Sequence, residues 1–500
     1  MQIDFIRRVW KDLDKEHQSI QDQTLQVLVS KLTIAISKIG SLIKKSSRTT
    51  GAEGVKKQQQ RPSSVKRWKY VLLKEYLDNA IDDLELWQRI FDPSWFLIMR
   101  VASQLIDTEL DRDCLQHASF SIAHHLRDAL RDEPQMKVSV FLSEGGLDSA
   151  QTFDIPFSSA KTVQRAGSGK WLILDSIDCN PQANLSLLSK DIRNLARKLS
   201  QADPVTFGLL NCYGVIRVLD PSSRRPISFK FVFRTPEGMY QPQSLRGSLI
   251  SNDADHSLSD RFRIAKQLAK SVSYIHTYGF VHKNIRPETI IIFKDQESSL
   301  GSSFLVGFEK FRTADGSTLR SGDSAWERDL YRHPHRQGLK LEEDYIMQHD
   351  IYSLGVCLLE VGLWDSFVIY SDEGRNPLPS PTLGLTLENP ELKKRSLMKD
   401  HLVSLARHTL PRLMGSRYAK IVETCLTCLD ENNADFGDEG DFQDADGILI
   451  AVRYIEKVLP SLQVPRRWVG LLCSRFCCSL TAYLFDIVVN WNIPSVPLRY

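Results

Sequence analysis

The sequence predicts an α+β fold that follows an all-α segment. Apolar residues recur at spacings of three and four up to about residue 135, strand-like runs follow Pro134, and helical patterns return after a pair of strands. A strand-rich segment with one helix, followed by a helix-rich segment, is typical of α+β domains. The 500 residues exceed what one hydrophobic core normally organises, so two or three domains are expected.

The composition is that of an ordinary globular protein, with 42% hydrophobic and 25% charged residues. The formal net charge of +3 is too small to indicate nucleic-acid binding. Nine cysteines in 500 residues do not form the dense pattern of a disulfide framework. The charged first residues lack the apolar core of a secretory signal. We therefore expect a cytoplasmic protein.

The first predicted domain, residues 1–135, is all-α. Residues 3–43 predict one long amphipathic helix, which we expect to pack in a bundle because long helices are rarely stable alone. Residues 44–67 contain eight Lys or Arg and one acid, Glu53, and predict a basic linker. This linker is either solvated or in weak contact with anionic lipid. Further helical patterns cover residues 68–90, 95–105 and 115–130.

The second predicted domain begins with strands. Runs rich in β-branched and aromatic residues predict strands over 137–142, 171–177, 215–219 and 227–233. The last two are joined by a predicted turn at 220–223, and residues 188–199 predict a helix. A final helix is predicted over 448–459. Residues 461–500 form an apolar, cysteine-rich tail for which the sequence predicts no structure.

The stretch from His282 to Thr289 reads H-K-N-I-R-P-E-T. It resembles the catalytic loop of protein kinases, whose pattern is H-R-D-L-K-P-E-N. Two further blocks follow in the family's order: residues 304–309 resemble the D-F-G region, and residues 350–360 resemble the F helix. The resemblance covers residues 140–460. It implies a bilobal protein-kinase-like domain, with an N-lobe at about 140–240 and a C-lobe at about 241–460.

The resemblance also implies that the catalytic groups are missing. The family's catalytic Asp accepts the substrate proton, and its loop Asn and D-F-G Asp hold Mg²⁺. The matching positions here are Asn284, Thr289 and Gly307. None of these offers a carboxylate, which a hard cation such as Mg²⁺ prefers, so we expect neither catalytic residues nor bound Mg²⁺. Glu309 is the alternative metal ligand.

The residues expected to bind the nucleotide depart from the family pattern too. The phosphate-binding Lys of the family would fall near Asp175 or Ser176, and the following helix contains no Glu. Gly167, Gly169 and Lys170 are the remaining candidates for phosphate contact. A plain turn explains these glycines equally well. ATP binding therefore stays an open alternative.

Structural residues of the family are kept. In kinases the catalytic-loop His and the first Asp of the F helix brace the loop, and these positions are His282 and Asp350. The helical segment ending at 87–95 resembles, in combination with a degenerate kinase module, fungal proteins with helical N-termini of the prion-inhibition or incompatibility type.

The resulting hypothesis is a pseudokinase that serves signalling or scaffolding, with a protein partner or with self-association through the N-terminal helices. The alternative is an atypical active kinase that transfers phosphate from ATP to protein Ser or Thr. No nucleic-acid partner is expected.

Overall fold

The computed structural model describes most of the chain before residue 437. The described ranges are 1–47, 91–131, 139–179, 184–251, 256–313, 325–338, 345–371, 376–384 and 395–436, with short gaps inside several of them, together with Tyr454 and Val458. Met1–Leu462 cluster as one unit. A second unit, Gln463–Tyr500, lies outside the described residues, as do the predicted basic linker 44–67 beyond residue 47, the whole of the predicted helix 68–90, and all but two residues of the predicted helix 448–459.

The N-terminal segment begins with two helices, α1 (Gln2–Val9) and α2 (Lys15–Ser47). The prediction of one continuous helix over 3–43 was therefore wrong. A 3₁₀ turn and an extended Leu13, with ψ of 136°, interrupt it. Asp14 then accepts a hydrogen bond from the backbone N–H of His17 at 2.8 Å. An Asp that satisfies an unpaired N–H of the first turn starts a new helix, a signal that the apolar periodicity concealed.

Helical residues at 93–97 are followed by two further helices, α3 (Gln104–Asp113) and α4 (Ala118–Leu130). Three buried rings form the core of this helical segment: Trp95 packs edge-on against Phe5 at 4.9 Å and against Phe120 at 5.3 Å. Within residues 1–131, each regular element that the structure describes is helical.

A six-stranded sheet follows, with strand order β1-β5-β6-β4-β3-β2. Its strands are β1 (Phe141–Leu142), β2 (Gln151–Asp154), β3 (Lys161–Gln164), β4 (Trp171–Asp178), β5 (Cys212–Leu219) and β6 (Pro226–Arg234). Helix α5 (Leu185–Ser200) connects β4 to β5. The strands predicted at 171–177, 215–219 and 227–233 and the helix predicted at 188–199 are confirmed.

The remaining described residues are mostly helical. The elements are β7 (Tyr240–Ser244), α6 (Leu245–Ile250), α7 (Leu258–Thr277), β8 (Phe280–Val281), β9 (Ile290–Lys294), β10 (Ser302–Leu305), β11 (Arg312–Thr313), α8 (Met347–Leu363), β12 (Val368–Tyr370), β13 (Pro377–Pro379), α9 (Arg395–His408), α10 (Leu410–Met414) and α11 (Ser416–Leu426). Helix α8 is buried along nearly its whole length. A helix that is apolar on all sides belongs in a core, so α8 anchors this part of the fold.

Contacts between aromatic rings are among those that join the helical segment to the later residues. The Phe96 ring lies 5.7 Å from the ring of Phe207 and 5.8 Å from that of Tyr274 on α7. No helix among the described residues is long and apolar enough to cross a membrane.

Candidate functional site

The loop between β8 and β9, here called the HKN loop (282–289), is held by one carboxylate. Asp350, in the first turn of α8, accepts hydrogen bonds from the backbone N–H groups of His282 at 2.7 Å and Lys283 at 2.9 Å. Lys283 has a left-handed backbone, with φ of 66°. A side chain in that conformation is strained and must be held by its surroundings. Asp350 supplies that constraint.

Asp350 is itself completely buried and fully engaged. The Tyr345 hydroxyl donates to it at 2.7 Å, and His276 Nε2 lies 3.1 Å from its second oxygen. Burial alone would raise the pKa of Asp350, but the hydrogen bond and charge of His276 hold it below its ordinary value. The carboxylate is therefore ionised at neutral pH and accepts four donors.

His282 serves the fold as a neutral ring. Its Nε2 lies 3.1 Å from the carbonyl oxygen of Val306, and its ring packs 4.8 Å from that of Phe308. Burial lowers the pKa of His282 to about 4. Because a carbonyl only accepts, Nε2 carries the proton and donates. His282 thus links the HKN loop to the residues that follow β10.

Asn284, Thr289 and Gly307 meet one another. The Asn284 amide donates to the carbonyl oxygen of Gly307 at 3.1 Å, and its oxygen accepts from Arg286 Nε at 2.9 Å. The Thr289 hydroxyl donates to the carbonyl oxygen of Asn284 at 2.8 Å. The three positions at which the resemblance placed the family's base and metal ligands therefore hold neutral groups, and these groups are joined by hydrogen bonds.

Gly307 cannot accept a side chain in this arrangement. Its φ is 86°, and a Cβ at this position would lie 2.3 Å from Cγ2 of Thr289. Van der Waals contact between carbons requires more than 3 Å. Asn284, Thr289 and Gly307 also offer no carboxylate, so they do not fit a Mg²⁺ site.

Glu309 lies next to this cluster, in a 3₁₀ turn that Gly307 precedes. Its carboxylate is 3.7 Å from the Arg328 guanidinium and about one quarter exposed. The structure therefore places Glu309 near the predicted metal position but beside a cation, which competes with a metal for the carboxylate.

Asp175 takes the place near which the family's phosphate-binding Lys was expected. It is buried on β4, and one oxygen accepts from the backbone N–H groups of Gly307 at 2.9 Å and Phe308 at 3.0 Å. Burial, assisted by the charge of Glu309, raises the pKa of Asp175 to about 6. An acid here repels phosphate, and its two hydrogen bonds tie the six-stranded sheet to the residues that follow β10.

The loop between β2 and β3, here called the tip loop (155–160), contacts the HKN loop and its neighbours. The Ser158 hydroxyl donates to the carbonyl oxygen of Glu288 at 2.7 Å, and the Phe157 ring packs 4.9 Å from that of Tyr370. Ser244 donates to the carbonyl oxygen of Pro156 at 2.6 Å. The tip loop has the sequence I-P-F-S-S-A, without glycine. It thus rests directly on the HKN loop.

Sequence reasoning missed the tip loop because it searched for glycine. Gly167, Gly169 and Lys170, the predicted phosphate contacts, lie between β3 and β4 and outside the described residues. The signal that was available is the pair of short strand-like runs around I-P-F-S-S-A, which marks a hairpin ahead of β4.

A buried ion network was also missed. The Arg246 guanidinium, with no exposed surface, contacts Glu288 at 3.2 Å and Glu360 at 2.8 Å. Tyr331 donates to Glu360 at 2.9 Å. Despite burial, the charges of Arg246 and Arg286 hold the pKa of Glu288 below its ordinary value. The network fixes α6, the HKN loop and α8 relative to one another.

Comparisons with known proteins agree with this architecture. No protein-family model matches the chain. A serine/threonine-protein kinase-like protein of Arabidopsis thaliana is 29% identical over 116 residues, which are 22% of this chain and 30% of the relative. Eukaryotic translation initiation factor 2-alpha kinase 1 of Mus musculus is 33% identical over 106 residues, 20% of this chain and 16% of the relative. The matched segments thus span less than a third of either relative, and they support a kinase-like fold.

Proposed function

We propose that this kinase-like chain transfers no phosphate and acts as a signalling or scaffold protein. One observation carries the proposal: Gly307, left-handed and packed against Thr289, lies where the family places a metal-binding carboxylate. The nearby base position is an amide already bonded to the Gly307 carbonyl. Neutral groups that are bonded to one another cannot accept a proton or hold Mg²⁺.

The alternative is an active kinase that uses ATP to phosphorylate protein Ser or Thr. One observation favours it: Asp175 and Glu309 are close enough for the charge of Glu309 to raise the pKa of Asp175. Two neighbouring carboxylates are a cation site in many enzymes. Phosphoryl transfer relies mainly on positioning and electrostatics, so the missing base alone does not exclude catalysis.

A phosphotransfer assay on the full chain separates the two functions. The protein is incubated with ATP labelled at the γ-phosphate, in Mg²⁺ and in Mn²⁺, and label on the chain and on a generic acceptor protein is counted. We expect none. Label that depends on metal and disappears in Glu309→Gln establishes the active kinase instead.

A restored variant sharpens the same test. Asn284→Asp with Gly307→Asp returns the family's base and metal ligand, yet we expect it to remain inactive. The new Cβ at position 307 would collide with Thr289, and Asp175 still stands where a phosphate-binding Lys is needed. Activity in this double variant would mean that the two missing carboxylates are all that the chain needs for phosphotransfer.

Scaffolding through self-association belongs to the proposal. Three apolar side chains of α2 are exposed: Val27 by 41%, Val29 by 62% and Ile34 by 49%. Val27 and Ile34 are seven residues apart and lie on the same face of the helix, and apolar side chains exposed together on one face are typical of an interface. Light scattering should show a larger mass for the wild type than for a variant with Ser at all three positions. Leu115→Ser, on an even more exposed apolar residue outside α2 (96%), should leave the mass unchanged.

A further inference from the structure

A group of potential metal ligands lies on helix α4 of the N-terminal segment. His124, His125 and Asp128 each place one ligand atom within 4.8 Å of those of the other two. Asp128 follows His124 by four residues and His125 by three, and residues at these spacings are neighbours on a helix surface. Two imidazoles and one carboxylate are ligands that Zn²⁺ and similar divalent transition metals accept.

The His124 ring stands between two carboxylates. Its Nε2 lies 2.9 Å from Oδ1 of Asp111, on α3, and its Nδ1 lies 3.2 Å from Oδ2 of Asp128. A neutral imidazole carries only one proton, so one ring nitrogen would direct its lone pair at a carboxylate oxygen. A cation between Nδ1 and Asp128 removes this repulsion, while Nε2–H donates to Asp111. A carboxylate that orients a metal-binding histidine in this way is common around metal sites.

The separation of these two atoms suits a zinc ion. Ligand atoms about 2.1 Å from a tetrahedral Zn²⁺ lie about 3.4 Å from each other, close to the 3.2 Å between His124 Nδ1 and Asp128 Oδ2. His125 is exposed, so its side chain can rotate towards the ion and complete the set. Water would take the fourth position, as it does where zinc has three protein ligands.

The local charges also favour a cation. Asp128 lies in the last turn of α4, where the helix dipole disfavours a negative charge and favours a positive one. Its other oxygen, Oδ1, is 3.7 Å from Arg131, and the two side chains are 37% and 39% exposed. An ion pair this long and this exposed contributes little, and the same guanidinium also contacts Asp107. Oδ2 of Asp128 therefore remains available to a metal.

We infer that His124, His125 and Asp128 bind a Zn²⁺ ion, with Asp111 as the residue that orients His124. The ion strengthens the link between α3 and α4, because its ligands stand on α4 and the carboxylate that fixes His124 stands on α3. The site goes beyond the proposed function and is independent of it, since it uses no residue of the HKN loop or of the six-stranded sheet.

Isothermal titration calorimetry of Zn²⁺ into the full chain, first stripped with EDTA and dialysed to neutral pH, tests the site. Cysteines and other histidines of the chain can also take up zinc, so the measured quantity is the difference in stoichiometry between variants. His125→Ala should bind one equivalent fewer than the wild type, because zinc sites use at least three protein ligands. His117→Ala, on an exposed histidine just before α4 that makes no capping bond, should bind as the wild type does.

The contrary outcomes are equally specific. If His125→Ala and the wild type bind the same number of zinc ions, the inference is overturned, and a second proton on His124 accounts for its two carboxylates. Uptake of Mg²⁺ that His125→Ala abolishes would also overturn it, since imidazole ligands favour transition metals over Mg²⁺. Circular dichroism of the metal-free variants checks that the helices are intact.

Asp111→Ala tests the residue that orients His124. It should bind the same number of zinc ions as the wild type but hold one of them at least about tenfold more weakly, as the loss of such a partner does at other metal sites. The Asp111 side chain is 70% exposed, so this variant should fold normally. Unchanged zinc affinity would show that Asp111 does not orient the ligand and would overturn this part of the inference.

Discussion

The two sides of the HKN loop are held by different kinds of partner. On one side the Asp350 carboxylate binds the backbone N–H groups of His282 and Lys283. On the other side the Asn284 amide donates to the carbonyl oxygen of Gly307, and the Thr289 hydroxyl donates to the carbonyl oxygen of Asn284. In the resemblance to kinases, Asp350 and His282 match the family's residue types, whereas Asn284, Thr289 and Gly307 do not.

The difference has a physical reason. A buried backbone N–H is present whatever the sequence, so its acceptor cannot be lost without leaving a polar group unsatisfied. Side-chain partners can change together, because a new set that satisfies itself costs little. A fold can therefore keep its loop geometry after its chemistry has gone, which is why function must be argued from the site.

The largest effect is expected when the Asp350 carboxylate, which holds the HKN loop, is removed. Asp350→Ala leaves four donors without their acceptor in a buried place, and we expect a loss of about 5 kcal/mol in the free energy of unfolding. Urea unfolding measures it. Asp350→Asn keeps one acceptor oxygen and should lose about half as much. If Asp350→Ala lowers the free energy of unfolding by less than about 1 kcal/mol, the HKN loop keeps its conformation without this carboxylate.

The second test breaks the buried ion network. Arg246→Met leaves Glu288 and Glu360 buried together without their shared cation, which should cost about 4 kcal/mol in the free energy of unfolding. Adding Glu288→Gln and Glu360→Gln to the same chain removes the stranded charges and should restore most of it. If the triple variant has the same free energy of unfolding as Arg246→Met, then Arg246 stabilises the fold through its packing and not through its charge.

Much of the fold could be predicted because its signals are local. The strands at 215–219 and 227–233 are short β-branched and aromatic runs beside a turn, and Asp220 accepts from the N–H groups of Ser222 and Ser223 within that turn. The loop at 282–289 was recognised from a motif of consecutive residues. Each of these can be read within about ten residues of sequence.

The rest could not be predicted, because its partners are far apart in the chain. Arg246 and Glu360 are separated by 114 residues, and Ser158 and Glu288 by 130. No periodicity or spacing rule joins residues at that distance. Asp175 belongs to the same class: the resemblance predicted that no lysine stands near Asp175 or Ser176, but the hydrogen bonds of Asp175 to the Gly307 and Phe308 N–H groups could not be predicted.

The third test concerns the side of the loop that has changed. Gly307→Ala should destabilise by about 3 kcal/mol, since it combines a left-handed backbone with a collision against Thr289. Gly238→Ala is the matched control: its φ is 72°, but nothing lies within 4 Å of the new Cβ. It should lose only about 1 kcal/mol, the conformational cost alone. Equal losses of unfolding free energy in the two variants would mean that the Thr289 side chain moves aside at little cost.

The smallest expected effect depends on pH. Burial raises the pKa of Asp175 from 3.8 to about 6, so the folded state holds this proton more tightly than the unfolded chain does. The resulting stability is present below about pH 4 and is lost as the pH rises through about 6. Asp175→Asn resembles the protonated acid at every pH. It should therefore be about 2 kcal/mol more stable than the wild type at pH 7.5 and no different at pH 4.

The control for this last variant is Asp178→Asn, on an exposed acid of the same strand, which should shift stability at neither pH. Urea unfolding of the three chains across this pH range supplies the measurement. If Asp175→Asn is instead less stable at pH 7.5, the ionised carboxylate is needed by the Gly307 and Phe308 N–H groups. The side of the HKN loop at Gly307 would then be stabilised by a charged carboxylate, as the side at Asp350 is. The two sides would no longer differ in the kind of partner that holds them.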